Sequence, residues 1–386
     1  MGIETLLHGG AESFVVRLAN ALSEQLDVMV FVVCGNKIDE RLLHKQKNNF
    51  KLESFNLPFE FLLYKLDRIL FLARIDFSFR NFLTGNRLKR LIKREHFHIL
   101  HSHQFNVDHL FSKVNRSFKI RHLTTIHGDY INFMNRLQHG NLQILDFEKK
   151  VKSVLTSLDE IVYISDHQFS FFRDYFPMAY LEEKFHKIYN GIELPISSPG
   201  SHEASPTSFT FGMVARGIRE KGWEISVQSF LSLNLSNAQL ILVGESSFLN
   251  ELRKKYTDAR IIFVGYSVNP KEWIEKFDVG LLPTTFPSES LPTSIIEYLA
   301  MGKPVIASDV GEIKKMLIQD GRSAGIVLQV IDGKIDGNQL TDSMKSLALN
   351  RSFYKSLKSE TYSCSKIFDI HQCARLYLNL YNLKYK

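Results

Sequence analysis

At 386 residues, with 44% hydrophobic and 23% charged residues and a formal charge of +7, the chain is globular, has no low-complexity run and fits two domains of similar size. No stretch reaches the roughly eighteen uninterrupted apolar residues that a spanning helix needs, and MGIETLLHGGAE lacks the basic segment and apolar block of a secretory signal. Cys34, Cys364 and Cys373 are odd in number, without C-x-x-C spacing or a nearby histidine cluster, so a reduced cytoplasmic protein without a metal framework is expected.

The charge is uneven. Residues 51–100 hold 10 Lys/Arg against 5 Asp/Glu, which makes the first domain electropositive and suited to anionic lipid or a phosphorylated acceptor. No nucleic-acid-binding motif accompanies the charge, so nucleic acid is not an expected partner.

In chain order, Gly9-Gly10-Ala11-Glu12 opens an amphipathic helix through Val15, Leu18, Ala19 and Leu22, and Val28 to Val33 reads as a buried strand. A glycine pair at a helix start permits close backbone approach to a ligand, which makes Gly10 a candidate, although most such pairs are turns. A doubly wound domain wants an apolar strand before this loop, yet Met1 to His8 offers only Ile3, Leu6 and Leu7. The expectation is either a chain whose natural start lies upstream of Met1 or a short first strand.

From Phe59 to His98 the chain is rich in Phe and Leu and then basic, with Arg87, Lys89, Arg90, Lys93 and Arg94 inside eight positions. Two readings stay open: helices packed on the sheet with a solvated charged face, or an element docking on an anionic membrane surface or acceptor. HILHSHQ, LTTIHGDY and EIVYISD are short strands alternating with helical stretches, so parallel βαβ units follow and ligands are expected at the strand carboxyl ends. His103, His127 and Ser165 occupy those ends. Zinc is not expected, because the histidines come from separate strands without H-x3-H or carboxylate spacing.

Asn190-Gly191 and the Pro- and Ser-rich run from Pro195 to Ser208 read as a turn and linker. The next strand, through Val214-Ala215, delivers Arg216 to its carboxyl end, with Lys221-Gly222 five residues on; two cations there suit a diphosphate. LILVGE, IIFVGY and FDVGLLPT continue the sheet. FPSESLPTSIIEYLAMGKPVIASDVGE then carries Glu289 and Glu297, eight residues apart. On one helix they would stand ~80° apart. Pro292 tolerates only a first turn, so the helix starts near Pro292 to Ser294, leaving Glu289 in the preceding loop and Glu297 in the opening turns. The helix closes at Gly302, and the helix N-terminus with two carboxylates suits a ligand both anionic and rich in hydroxyls. The plainer alternative is that Glu297 complements the helix dipole and Glu289 caps the loop. The chain ends in an amphipathic pattern with Leu376, Leu378, Leu380 and Tyr381.

The two glutamates, with GKPVIASDVGE after them, the R-x4-K-G element, the TIHG strand end and the GGAE loop, resemble retaining glycosyltransferases of the GT-B fold and the family 4 type, which include bacterial lipopolysaccharide and capsule sugar transferases. The resemblance covers nearly the whole chain. It implies an α/β protein of GT-B architecture, two Rossmann-like doubly wound domains facing a central cleft, with a first domain at 1–195, a nucleotide-sugar-binding domain at 196–368 and a final helix, 369–386, crossing back onto the first.

It further implies hexosyl transfer from a UDP- or GDP-sugar to a hydroxyl of a glycan or lipid-linked acceptor, with retention, in the cytoplasm or at the inner face of the membrane. By the same resemblance Arg216 and Lys221 clamp the diphosphate, Glu289 contacts the hexose and Glu297 the ribose. Tyr266 and Ser267 lie along the nucleobase, Leu291, Pro292 and Thr293 join the donor site, and His127 orients donor and acceptor. No D-x-D pair occurs to hold a metal on the donor, so no metal or other cofactor is expected, and charge on the leaving diphosphate falls to Arg216, Lys221 and helix N-termini. Two other classes remain open: a nucleotide-sugar epimerase of the same fold, which needs no acceptor, and a non-catalytic peripheral membrane protein. Substituting Glu289 by alanine is expected to remove activity and leave folding intact.

Overall fold

The computed structural model describes residues 1–7, 9–44, 49–177, 180–195 and 208–381. They fall into two compact units, Met1–Ile192 with Ile370–Lys386, and Glu193–Asp369. The junction at Ile192 lies three residues before the expected boundary, and most of the expected linker, 196–207, is outside the described residues.

The first unit alternates strands and helices: β1 (Gly2–Ile3), α1 (Gly10–Leu22), β2 (Met29–Val32), β3 (Lys51–Ser54), α2 (Glu60–Leu72), α3 (Phe79–Glu95), β4 (Ile99–His103), α4 (Phe105–Asn115), β5 (Arg121–Thr125), α5 (Asp129–Gln138), β6 (Glu160–Tyr163) and β7 (Phe185–Lys187). The sheet order is β3-β2-β1-β4-β5-β6-β7, with every pairing parallel. The chain therefore leaves β1 in opposite directions on its two sides, and the carboxyl ends of β1 and β4 form the switch point where doubly wound sheets bind ligands.

β1 is only two residues long yet central. Gly2 faces Phe31 and Ser102, and a Cβ there would come within 2.3 Å of the Phe111 ring, so the position needs glycine for packing. The Met1 amine is buried and donates to the Met29 carbonyl at 2.6 Å; burial lowers its pKa to about 5.

The C-terminal helix, Ile370–Tyr381, packs within this unit. Ile370, Cys373, Ala374, Tyr377, Leu378 and Tyr381 recur at helical spacing and bury against Phe14, Leu18, Leu22, Leu123, Val162 and Ile188. Each large side chain so buried contributes about 1.5–3 kcal/mol. The buried stripe differs from the leucines that stand out in the sequence: Leu376 is exposed, while Tyr377 is fully covered.

The second unit repeats the plan with β8 (Phe209–Val214), α6 (Trp223–Ser232), β9 (Ala238–Val243), β10 (Ile261–Gly265), β11 (Val279–Leu282), α7 (Thr293–Ala300), β12 (Val305–Ser308) and β13 (Gly325–Leu328). Its order is β10-β9-β8-β11-β12-β13, again all parallel, with the switch point between β8 and β11. α7 buries Ile295, Ile296, Tyr298, Leu299 and Ala300 and ends before Gly302, whose φ of 71° is the left-handed turn that stops it. Tyr298 anchors α7 on the sheet: its hydroxyl accepts from the Val214 amide at 2.6 Å, and its ring fills the space that a Cβ on Gly280 would invade at 2.3 Å.

Candidate functional site

In the second unit, the chain leaving β8 and the chain leaving β11 meet at the switch point. After β8, Arg216 is exposed and a short 3-10 turn, Arg219–Lys221, swings Lys221 inward. Gly222 follows at φ 86°, where a Cβ would lie 2.0 Å from the Pro283 carbonyl oxygen. After β11, the Thr285 amide donates to the Glu220 carbonyl at 2.7 Å and the Thr284 hydroxyl to the same oxygen at 3.1 Å. These bonds fasten the two loops together and bring Lys221 Nζ onto the Glu289 carboxylate. Only 7% and 9% of the two side chains remain exposed, so each charge depends on the other. Phe286 lies beneath both cations, 5.4 Å from the Arg216 guanidinium and 5.2 Å from Lys221 Nζ.

The loop bearing Glu289 is pinned from the far side. The Glu312 amide donates to the Ser290 carbonyl at 3.0 Å, and Gly311, at φ 59°, approaches so closely that a Cβ would sit 2.0 Å from the Glu289 carbonyl oxygen. Gly311→Ala is therefore expected to cost about 1–3 kcal/mol of stability and to displace Glu289. Thermal unfolding checks this, and an unchanged melting temperature would show that the loop yields at no cost.

Leu291 and Pro292 carry the chain into α7; Pro292 is its N-cap, Thr293 its first residue, and no side-chain hydrogen bond caps this N-terminus. Glu297 is half-buried in the second turn of α7. The structure thus groups Arg216, Lys221, Glu289 and the start of α7. Tyr266 and Ser267 stand apart from that group, on the loop after β10, the edge strand two places from β8.

In the first unit, Gly10 begins α1 with Gly9 as an extended N-cap that makes no side-chain cap bond. His127 follows β5 and precedes Gly128, whose φ of 97° turns the chain into α5. His127 Nε2 lies 3.0 Å from His103 Nδ1, and the rings stack with centroids 5.3 Å apart. Burial lowers the His127 pKa to about 4 and holds His103 well below the ordinary value, so both are neutral at pH 7. Behind them His101 Nδ1 meets the Tyr381 hydroxyl and Nε2 the Thr125 hydroxyl, both at 2.8 Å, and Thr125 in turn bonds Tyr377 at 2.8 Å. Ser165 is a buried N-cap that accepts from the Gln168 amide, a structural role.

Sequence reasoning missed two groups. His101 shares its face of β4 with His103, and the H-x-H spacing was the available signal. Glu4, Gln104 and Asn106 gather at the β1/β4 switch point, where the Gln104 side chain accepts from the Glu4 amide at 3.3 Å and Asn106 donates to the Glu4 carboxylate. Gln104 has φ 78°, an uncommon backbone state for a residue with a side chain, and no local motif announces it. Glu12, beside this cluster, has its pKa raised by burial.

Residues 8–194 match the family described as Glycosyltransferase Family 4, and residues 208–348 match Glycosyl transferases group 1. The chain belongs to the GT-B glycosyltransferases of the family 4 type. A curated relative, the lipopolysaccharide core biosynthesis mannosyltransferase LpsB of Rhizobium meliloti (strain 1021), is 25% identical over 175 residues, 40% of this chain and 49% of that protein. The chain thus spans about half the length of the curated relative it matches. Among solved structures, Anabaena Alr3699/HepE in complex with UDP-glucose aligns with a TM-score of 0.74 at 16% identity, covering 99% of this chain and 98% of that one. A glycosyltransferase from Rickettsia africae ESF-5 aligns at 0.75 and 15% identity, covering 99% and 96%. At such identities the two structures speak for the fold, two parallel-sheet α/β domains of the GT-B kind.

Proposed function

We propose that the protein transfers a hexosyl residue, with retention, from a UDP- or GDP-sugar to a hydroxyl of a glycan or lipid-linked acceptor, in lipopolysaccharide or related cell-surface polysaccharide synthesis. The observation that carries this reading is the buried Lys221–Glu289 pair beside Arg216 at the β8/β11 switch point. A diphosphate there would find two cations and the unpaired amides at the start of α7; a sugar would find a carboxylate to accept from its hydroxyls. In this reading Arg216 and Lys221 stabilise charge on the departing diphosphate, Glu289 orients the hexose, Glu297 the ribose, and His127, a neutral imidazole, orients donor and acceptor. Leu291, Pro292 and Thr293 shape the donor site, Tyr266 and Ser267 flank the base, and Gly10 leaves room for the ligand. No metal is required, and the protein works in the cytoplasm, peripheral to the inner face of the membrane.

Incubation with UDP- and GDP-sugars, with and without an acceptor glycan and in EDTA, tests the proposal. Turnover only with acceptor, undiminished by EDTA, is expected. An altered nucleotide sugar without acceptor would make the protein an epimerase. No donor binding would remove the enzymatic reading, and loss in EDTA with recovery in Mn²⁺ would overturn the metal-free part.

A further inference from the structure

α2 is built inside out. Of its thirteen residues the single buried one is Asp67, whose carboxylate accepts from the Ser78 hydroxyl, the Phe79 amide and the Arg80 guanidinium, and so ties α2 to the start of α3. Phe61, Leu62, Lys65, Arg68, Ile69 and Leu72 recur at i, i+1, i+4, i+7, i+8 and i+11 and share one arc of the helix, all of them exposed. Phe61 is 72%, Ile69 61% and Leu72 71% accessible. Beyond the helix the Phe77 ring meets Phe79 edge to face and Phe82 at a tilt, with centroids 5.0 and 6.0 Å away, and all three stay exposed. Exposed large apolar side chains gathered in this way mark an interaction site.

The charges on it select the partner. Residues 59–98 hold nine Lys/Arg and four Asp/Glu, and every one of the four carboxylates is engaged by a donor of this chain: Glu60 by Asn36, Asp67 as above, Asp76 by Lys150 and Glu95 by Arg94. Lys65 and Arg68 interrupt the apolar arc itself, and Lys65 Nζ lies 4.4 Å from the Phe61 ring centroid. Lysine is depleted from the cores of protein interfaces, and a second copy would set like charges against each other. At a bilayer the same residues are favourable, because their stems run along the apolar layer and their heads reach lipid phosphates. The structure also moves this surface from where the sequence suggests it: Arg87 donates to the Asn56 carbonyl at 3.0 Å and Arg94 to Glu95 at 2.6 Å, so two of the five cations clustered from Arg87 to Arg94 are bound within the chain. Among the described residues no helix is long and apolar enough to cross a membrane.

We infer that the outward arc of α2, Phe61, Leu62, Lys65, Arg68, Ile69 and Leu72, lies in the interface of a bilayer containing anionic lipid and holds the protein there reversibly. This deepens the membrane-side part of the proposed function and is measured apart from it. Co-sedimentation of the full chain with phosphatidylcholine vesicles, with and without phosphatidylglycerol, compares the wild type with Phe61→Ser/Ile69→Ser/Leu72→Ser and with Lys65→Glu/Arg68→Glu. Turnover with a water-soluble acceptor is followed in parallel and reports on catalysis alone. The wild type is expected to favour anionic vesicles roughly thirtyfold, the attraction of about two cations near the surface, and to be released in 1 M salt, where the Debye length is about 3 Å. The serine variant loses vesicle binding and keeps soluble turnover; the glutamate variant loses the preference for anionic lipid. Equal binding to both vesicle types by the wild type, or unchanged binding by the serine variant, would overturn the inference. So would concentration-dependent self-association abolished by the serine substitutions, which would make the face a contact between copies.

Discussion

Glu289→Gln should abolish transfer, by roughly a thousandfold, and at the same time bind UDP more tightly than the wild type. In the free protein Lys221 spends its charge on Glu289, and both are withdrawn from water. A diphosphate arriving at Lys221 meets the carboxylate as a competitor of like sign. Glutamine keeps the shape and can still accept a hydrogen bond from Lys221 Nζ, but removes the competing charge. One such repulsion, at partly buried distances and after relaxation, is worth about 1–2 kcal/mol, or roughly five- to thirtyfold in affinity.

The reverse substitution, Lys221→Met, leaves Glu289 as the uncompensated buried charge and should weaken UDP binding as well as stability. Breaking a buried pair from either side costs about 3–5 kcal/mol, so the expectation from sequence that position 289 could be changed without touching folding does not survive the geometry. Calorimetric titration with UDP and thermal unfolding of the two variants decide the matter. Weaker UDP binding by Glu289→Gln, with an unchanged melting temperature, would show that the pair does not gate the diphosphate.

The alternation of strand and helix was legible where a strand is a short apolar run, as in β2, β9, β10, β11 and β12, and where glycine or proline marks a helix start, as at Gly10 and Pro292. The start and stop of α7 follow from Pro292 and Gly302 alone. The ion pair was not legible, since Lys221 and Glu289 are 68 residues apart and only the parallel pairing of β8 with β11 brings their loops together. Nor was the orientation of α2. Its apolar spacing is what a buried helix would show, and periodicity fixes which residues share a face without saying whether that face meets the core. The decisive residue was Asp67, which turns inward to hold α3 and thereby turns the leucines and phenylalanines outward. In β1 the limit was length: a two-residue strand has no detectable pattern, and its central place rests on pairing with β2 and β4.

His103→Leu should lower kcat by roughly ten- to a hundredfold, the usual effect of removing a group that orients a site residue, while the KM for the donor changes little. Between His103 Nδ1 and His127 Nε2 only one nitrogen carries the proton. The far nitrogen of His103, Nε2, is buried without a partner. A buried N–H with no acceptor is rarer and costlier than a buried lone pair with no donor, so His103 holds its proton on Nδ1 and donates to His127. His127 is then protonated on Nδ1 and, in the proposed function, would offer a ligand a donor rather than a base. Leucine fills the space beside Phe14 and the His101 ring but cannot fix this tautomer, whereas His103→Asn, with an amide N–H near the position of Nδ1, should retain most of the rate. Burial lowers the His127 pKa to about 4 from its ordinary 6.5. A depressed histidine pKa contributes stability that is full above the unfolded value and lost as pH falls through the folded one, so activity should show no histidine limb between pH 8 and 6 and should fail between about pH 6 and 4. In His103→Leu the Nε2 lone pair of His127 loses the donor that favours the neutral ring, and the acid limb should move upward. Nitrogen-15 spectra of the histidine rings give the tautomer directly, independent of turnover. Finding His127 protonated on Nε2, or a leucine variant as fast as the wild type with the same pH profile, would remove His103 from the working site and leave it a packed core residue.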